Sequence, residues 1–151
     1  MRALLIAIGN ELRRDDGVAH DVIKRLRPST NVYWRTLVQL TPEIAEAVAK
    51  YDAAIFIDAD VSVTDVRLEP VSPPADSALS HASSPAEIVA LAKALYGFNG
   101  RAFQCRIPVD DVSHGEGLSH RASALSERAA RSLNILLEDL RLNHSGDKPS
   151  A

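Results

Sequence analysis

Two aspartates and a histidine, Asp16, Asp58 and His81, are the residues of this 151-residue sequence with the chemistry to bind a metal ion together. Carboxylates and an imidazole form a hard-to-borderline donor set, which suits nickel, zinc or manganese and leaves positions for water or a substrate atom. Each residue alone has an ordinary explanation. Asp15 or Asp16 can cap a helix, Asp58 can stabilise a turn, and a loop histidine is commonly solvated.

The two aspartates follow apolar runs that are typical of buried parallel strands. Residues 2–8 precede the loop that carries Asp16, and Ala53–Ile57 leads directly into Asp58. Such runs are expected where helices cover both faces of a sheet. Because parallel strands end at the same edge of a sheet, where open α/β folds keep their ligand sites, we expect the two carboxylates to lie close together. His20 shares a helix face with Asp16 and could therefore approach the metal, but pairing with solvent or a helix cap is the commoner role for such a histidine.

Helix and strand patterns alternate along the rest of the chain, which predicts a single three-layer α/β/α sandwich with a mostly parallel central sheet. We assign this domain to residues 1–142 and expect 143–151 to be a disordered C-terminal tail. A capping box at Ser84–Glu87 and a glycine at position 97 delimit the best-defined helix. The other predicted elements are a helix from Gly17 to Pro28, strands over 31–38, 66–70 and 101–107, a helix over 42–50, a loop over 70–84, and a helix from Leu118.

Composition excludes several classes of function. The net charge of -3 and the scattered basic residues give no footprint for nucleic acid. A single cysteine, Cys105, excludes an intramolecular disulfide and a thiolate metal cluster. No apolar stretch approaches the roughly 20 residues of a membrane span, and the start lacks the apolar core of a signal peptide. We therefore expect a cytoplasmic protein without nucleic-acid or membrane partners.

Three segments resemble the nickel-iron hydrogenase maturation endopeptidases. Residues 8–19, IGNELRRDDGVA, resemble the family signature, in which a Gly-Asn pair is followed after a few residues by Asp-Asp or Asp-Glu and Gly. Residues 55–59, IFIDA, resemble the second block, and Ser80-His81 before a helix resembles the third. The resemblance covers residues 1–142, with the blocks in the family's order and spacing.

The resemblance implies a metal-dependent endopeptidase with Asp16, Asp58 and His81 as its metal-binding catalytic residues. The implied substrate is the precursor of a hydrogenase large subunit, from which a C-terminal extension is removed after nickel insertion. Nickel is then supplied by the precursor rather than held as a resident cofactor. Metal ligation would couple cleavage to metal loading, and the metal would supply charge for hydrolysis. The ligands alone leave the attacking group open.

This sequence departs from the family pattern at three places. Ala7 stands where the family often has a first glycine, residues 38–42, VQLTP, replace an Asp-Gly-Gly-like turn, and Arg106-Ile107-Pro108 keeps a late proline without its glycine. We therefore expect the substrate to dock differently. A non-catalytic metal-binding assembly factor or chaperone on the same fold is the alternative function. A nucleotide-binding module is disfavoured, because Gly9 lacks the further glycines of a dinucleotide loop and two acids would repel phosphate.

Overall fold

The computed structural model describes residues 1–72 and 84–146, with side chains as far as His144. Within these ranges strands and helices alternate as the sequence predicts. A 3-10 helix, Arg14–Gly17, follows the first strand. In chain order the named elements are β1 (Ala3–Ile8), α1 (Val18–Arg25), β2 (Val32–Leu37), α2 (Ile44–Val48), β3 (Ala53–Asp60), β4 (Arg67–Pro70), α3 (Pro85–Tyr96), β5 (Arg101–Pro108) and α4 (His120–Gly146).

The strands form one sheet in the order β2-β1-β3-β5-β4. The first four strands in that order run parallel, and β4 pairs antiparallel with β5. Helices α1 and α4 pack together on one face of the sheet, and α2 and α3 pack together on the other. Each face has its own buried apolar cluster. The predicted three-layer α/β/α sandwich with a mostly parallel sheet is confirmed.

The two central strands that carry the site begin as predicted, but β3 is longer than its apolar run. All six residues of β1 are buried, as are the first five of β3. β3 continues past Ile57 because Asp58, Ala59 and Asp60 pair with residues 106–108 of β5. Asp58 therefore lies inside a strand, whose backbone pairing fixes its position, rather than in the loop that follows.

Helix α3 begins and ends where its capping residues predict. The Ser84 hydroxyl accepts a hydrogen bond from the Glu87 backbone N–H at 3.2 Å and donates one to the Glu87 carboxylate at 3.0 Å. Pro85 occupies the first turn, and Gly97 ends the helix in the left-handed conformation with φ of +69°. Local sequence signals therefore set both ends of this helix.

The N-terminal cap gives a modest stability prediction. We expect Ser84→Ala to lower the free energy of unfolding by about 1 kcal/mol, because the Glu87 N–H loses its side-chain acceptor. Urea unfolding of the variant and of Ser29→Ala, an exposed loop serine, measures the effect. Equal stability of the two variants would contradict the capping role.

Helix α4 begins at His120, two residues later than predicted, because Ser119 caps it. The Ser119 hydroxyl accepts a hydrogen bond from the Ala122 N–H at 3.1 Å. At its other end the helix continues through 143–146, the first residues of the predicted tail, and 147–151 lie outside the described residues. No helix in the described part of the chain is long and apolar enough to cross a membrane.

Candidate metal centre

The loop after β1 folds back so that Asp16 lies against the end of the strand. Gly9 has φ of +151°, and a Cβ at this position would lie 1.9 Å from the Asp16 carbonyl oxygen. Only glycine fits this close approach. The Asn10 N–H donates a hydrogen bond to Asp16 Oδ2 at 2.8 Å, and the Asn10 side chain accepts one from the Leu12 N–H at 2.9 Å. The Gly-Asn pair therefore holds the Asp16 carboxylate.

His20 stabilises the same loop. Its Nε2 lies 2.8 Å from the Gly9 carbonyl oxygen, and its Nδ1 lies 3.2 Å from a Glu11 carboxylate oxygen. Both ring nitrogens thus have partners within the loop. In the structure His20 holds the end of β1 rather than pairing with solvent or a helix cap, and the loop contacts that define this role are not visible in its spacing from Asp16.

Asp58 lies on the strand next to β1, in register with Ile8. Burial raises the pKa of Asp58 to about 6, with further contributions from the negative charges of Asp16 and Asp60. The fold therefore brings Asp16 and Asp58 close enough for their charges to interact, as the sequence predicts. Two carboxylates that repel each other in a half-buried place are stabilised when a cation binds between them.

The third carboxylate of this region, Asp60, already has hydrogen-bond and ion-pair partners. Its Oδ1 accepts hydrogen bonds from the Ser62 N–H at 2.8 Å and the Ser62 hydroxyl at 2.6 Å. Arg106 lies between Asp60, at 3.5 Å, and Glu69. The Ser62 hydrogen bond, with help from Arg106, holds the pKa of Asp60 below its usual value. The sequence analysis did not identify Arg106 as the partner of Asp60. Its position near the end of a predicted strand was the signal that could have suggested an ion pair.

Asp15, the neighbour of Asp16, is fully buried and has a structural role. Its Oδ1 accepts a hydrogen bond from the Ser119 N–H at 2.8 Å, and its Oδ2 accepts one from the Ser119 hydroxyl at 2.9 Å. Longer contacts reach the backbone N–H groups of Asp110 and Asp111, at 3.4 and 3.3 Å. Neither Asp15 nor Asp16 caps α1, whose N-cap is Gly17. The capping interpretation of these aspartates is therefore wrong.

His81, the third predicted ligand, lies outside the described residues, together with most of the predicted loop over 70–84. Its place at the site stays a prediction. Among residues 1–72 and 84–146, no group of three or more His, Cys, Asp or Glu side chains is arranged to hold a metal ion. The described part of the site thus contributes two carboxylates, and a complete metal centre needs a further donor.

The pKa of Asp58 predicts how metal binding depends on pH. A carboxylate binds a cation in its ionised form, so affinity falls as the pH drops below about 6, instead of below about 4 for an ordinary aspartate. We expect cadmium to bind at least about tenfold more weakly at pH 5 than at pH 7, the factor that the protonation of Asp58 alone supplies. At each pH, calorimetric titration with cadmium in two buffers of different ionisation enthalpy measures the affinity and the number of protons released on binding. Equal affinity at the two pH values would contradict this assignment.

Fold and site together define an α/β protein with two interacting carboxylates at the carboxyl edge of a parallel sheet. No protein-family model and no curated protein sequence matches this chain at a significant level. Solved structures do match. One is hydrogenase maturating endopeptidase HybD from E. coli, which superposes on this chain with a TM-score of 0.67 and 18% sequence identity. The match covers 92% of this chain and 93% of the HybD chain. The [NiFe] hydrogenase maturation protease HycI from Thermococcus kodakarensis has a TM-score of 0.68, 18% identity, and coverages of 91% and 92%.

An uncharacterized protein from Wolinella succinogenes is similar at 26% identity, with a TM-score of 0.62 over 92% of this chain and 98% of its own. The matches extend over nearly the whole chain on both sides. This chain therefore has the fold of the hydrogenase maturation endopeptidases, and the resemblance drawn from the sequence is confirmed at the level of the fold.

Proposed function

We propose that this protein is a metal-dependent endopeptidase that removes a C-terminal extension from a nickel-loaded hydrogenase large-subunit precursor. The observation that carries the proposal is the interacting pair Asp16 and Asp58. The pair lies at the carboxyl edge of a sheet whose fold is that of HybD and HycI. The cytoplasmic location expected from the sequence belongs to the same proposal.

The two carboxylates have the properties that transient metal recognition needs. Asp16 is held by the Asn10 N–H, and Asp58 is held by strand pairing, so the donors are positioned before a metal arrives. Asp60 is occupied by its ion pair with Arg106 and its hydrogen bonds from Ser62, so it is not available as a ligand. In this proposal His81 completes the ligand set, and nickel arrives with the precursor.

Positive charge beside the scissile peptide is the chemistry that the metal supplies, because it polarises the carbonyl towards attack by water. In this proposal Asp16 and Asp58 would hold the metal beside the scissile bond through their carboxylates. Water adds to the carbonyl carbon, the C–N bond breaks, and the products are a new C-terminal carboxylate and the amine of the released extension. Cleavage then depends on nickel loading, because the carboxylates bind the precursor through its metal.

The test is incubation of the purified protein with nickel-loaded and nickel-free precursor, followed by mass analysis of the precursor's C-terminus. We expect cleavage of the loaded form only. Asp16→Ala, Asp58→Ala and His81→Ala are expected to fold and to cleave at less than about one hundredth of the wild-type rate. Asp65→Ala, at an exposed aspartate paired with Arg128, is the matched control and is expected to cleave normally.

Each outcome separates the candidate functions. Binding of the loaded precursor without cleavage would favour the non-catalytic assembly factor. Normal cleavage by His81→Ala would remove His81 from the ligand set, and normal cleavage by Asp58→Ala would overturn the proposed site.

A further inference from the structure

Strand β2 ends the sheet with both of its faces largely uncovered. Four of its six residues are exposed, including Tyr33 at 43% and Trp34 at 61% of their surface. Register with β1 places Tyr33 on the α2 side of the sheet and Trp34 on the α1 side. Edge strands in native proteins are usually shielded by covering segments, prolines or bulges, and residues 32–37 contain no proline.

The outer edge of β2 presents a definite set of backbone groups. The carbonyl oxygens of Asn31 and Leu37 accept hydrogen bonds from Ala3 and Gly9, so odd-numbered residues face β1. Backbone groups alternate along a strand, and the N–H and C=O of Val32, Trp34 and Thr36 therefore point outwards. In the part of the chain that the structure describes, β2 has no strand partner on that side.

This edge is continuous with the candidate metal centre. At the carboxyl end of β2, Leu37 is hydrogen-bonded to Gly9 at 2.8 Å, and Gly9 begins the loop that carries Asp16. A chain added beside β2 would end about 10 Å from β1, since neighbouring strands lie roughly 4.8 Å apart. At the amino end, a cavity of about 530 Å³ lies between residues 27–32 and α4.

We propose that the outer edge of β2 binds an extended, acidic segment of the precursor as an added strand, which leads the chain to Asp16 and Asp58. This inference rests on the proposed function. The added segment forms backbone hydrogen bonds with Val32, Trp34 and Thr36. Tyr33 and Trp34 provide apolar contacts for it on the two faces of the sheet.

Charge favours such a peptide over a second copy of this chain. Residues 26–42, which include β2, contain Arg27 and Arg35 and no acidic residue, whereas Glu138 and Asp139 of α4 line the cavity at the amino end of the strand. Symmetric pairing of two β2 strands would bring these segments, with the same charge, close together. An acidic peptide pairs with them instead, and opposite charges on neighbouring strands are stabilising.

Proline at position 36 tests the backbone contact. Thr36→Pro removes an outward N–H, leaves the hydrogen bonds of β2 to β1 in place, and is compatible with an edge strand. The probe is the nickel-free precursor of the same organism, which the protein is expected not to cleave. Its Kd is measured by biolayer interferometry with Asp16 and Asp58 unchanged. We expect Thr36→Pro to raise the Kd at least tenfold over that of the unsubstituted strand. Thr36→Ala keeps the N–H, and the Kd of Thr36→Pro should be at least fivefold higher than that of Thr36→Ala.

Hydrogen exchange on the same complex supplies a measurement that does not depend on folding of the proline variant. The amides of Val32, Trp34 and Thr36 are expected to slow when the precursor binds. Unchanged exchange at all three, an equal Kd for the two Thr36 variants, or no binding of the precursor would each overturn the inference. A dimer of the free protein that Thr36→Pro dissociates would also overturn it, because a second copy would then occupy the edge.

The two proposals fail in distinguishable ways. Precursor binding that is sensitive to Thr36→Pro, without cleavage by the wild type, supports the added strand and contradicts the peptidase. Cleavage that is equally efficient in wild type and Thr36→Pro supports the peptidase and contradicts the added strand.

Discussion

Replacement of Asp58 by asparagine is expected to abolish precursor cleavage and to raise the melting temperature of the metal-free protein at pH 7.5. The activity is lost because a neutral amide replaces a charged ligand. Stability increases because burial, Asp16 and Asp60 raise the pKa of Asp58 to about 6 from an ordinary value of 3.8. The native protein therefore holds its proton more tightly than the unfolded chain, and its stability falls as the pH rises from about 4 to 6.

The size of the gain follows from this pKa difference. Asparagine removes a penalty of about 2–3 kcal/mol at pH 7.5, which corresponds to roughly 5–10 °C in melting temperature for a chain of this length. At pH 3.5 the carboxyl is mostly neutral in both states, so the two proteins should melt at nearly the same temperature. Calorimetric melting at the two pH values measures the difference. A variant that is less stable at pH 7.5 would show that the Asp58 carboxylate stabilises the fold.

Replacement of Asp15 by alanine is expected to destabilise the protein and to lower the free energy of unfolding by about 3 kcal/mol. The buried Asp15 carboxylate accepts both hydrogen bonds from Ser119, and its removal leaves these donors without their acceptor. Because the 3-10 helix carries both Asp15 and Asp16, we expect cadmium binding to weaken as well.

Asp110→Ala is the control for Asp15→Ala. Asp110 lies in the segment that contacts Asp15, but its side chain is exposed and forms a surface ion pair with Arg121. Its removal should change the unfolding free energy by less than about 1 kcal/mol. Urea unfolding of both variants, with a cadmium titration of each, measures the two effects. Equal stability of Asp15→Ala and Asp110→Ala would contradict the structural role of Asp15.

The sequence predicted the parts of the fold that short-range signals determine. Apolar runs located β1 and β3, and the capping box and Gly97 located α3. The proximity of Asp16 and Asp58 also followed from sequence, because parallel neighbouring strands end at the same edge of the sheet. These inferences need only local residue patterns and one rule of sheet topology.

The roles that depend on distant contacts did not follow from the sequence. Arg106 pairs with Asp60 from another strand, and Asp15 binds Ser119, which is 104 residues away. The pairing with β5 that lengthens β3 is of the same kind. A capping aspartate and a buried aspartate that binds a distant residue have the same local sequence pattern. Spacing along the chain therefore does not distinguish the two roles.

The contacts of Asp15 also bear on when the site forms during synthesis. The loop that carries Asp16 is among the first residues made, yet its anchors at residues 110, 111 and 119 come 95 to 104 residues later. A nascent chain that ends before β5 lacks Ser119, which binds Asp15, and Arg106, which pairs with Asp60. Most of this protein is therefore synthesised before the contacts that anchor the Asp16 loop can form.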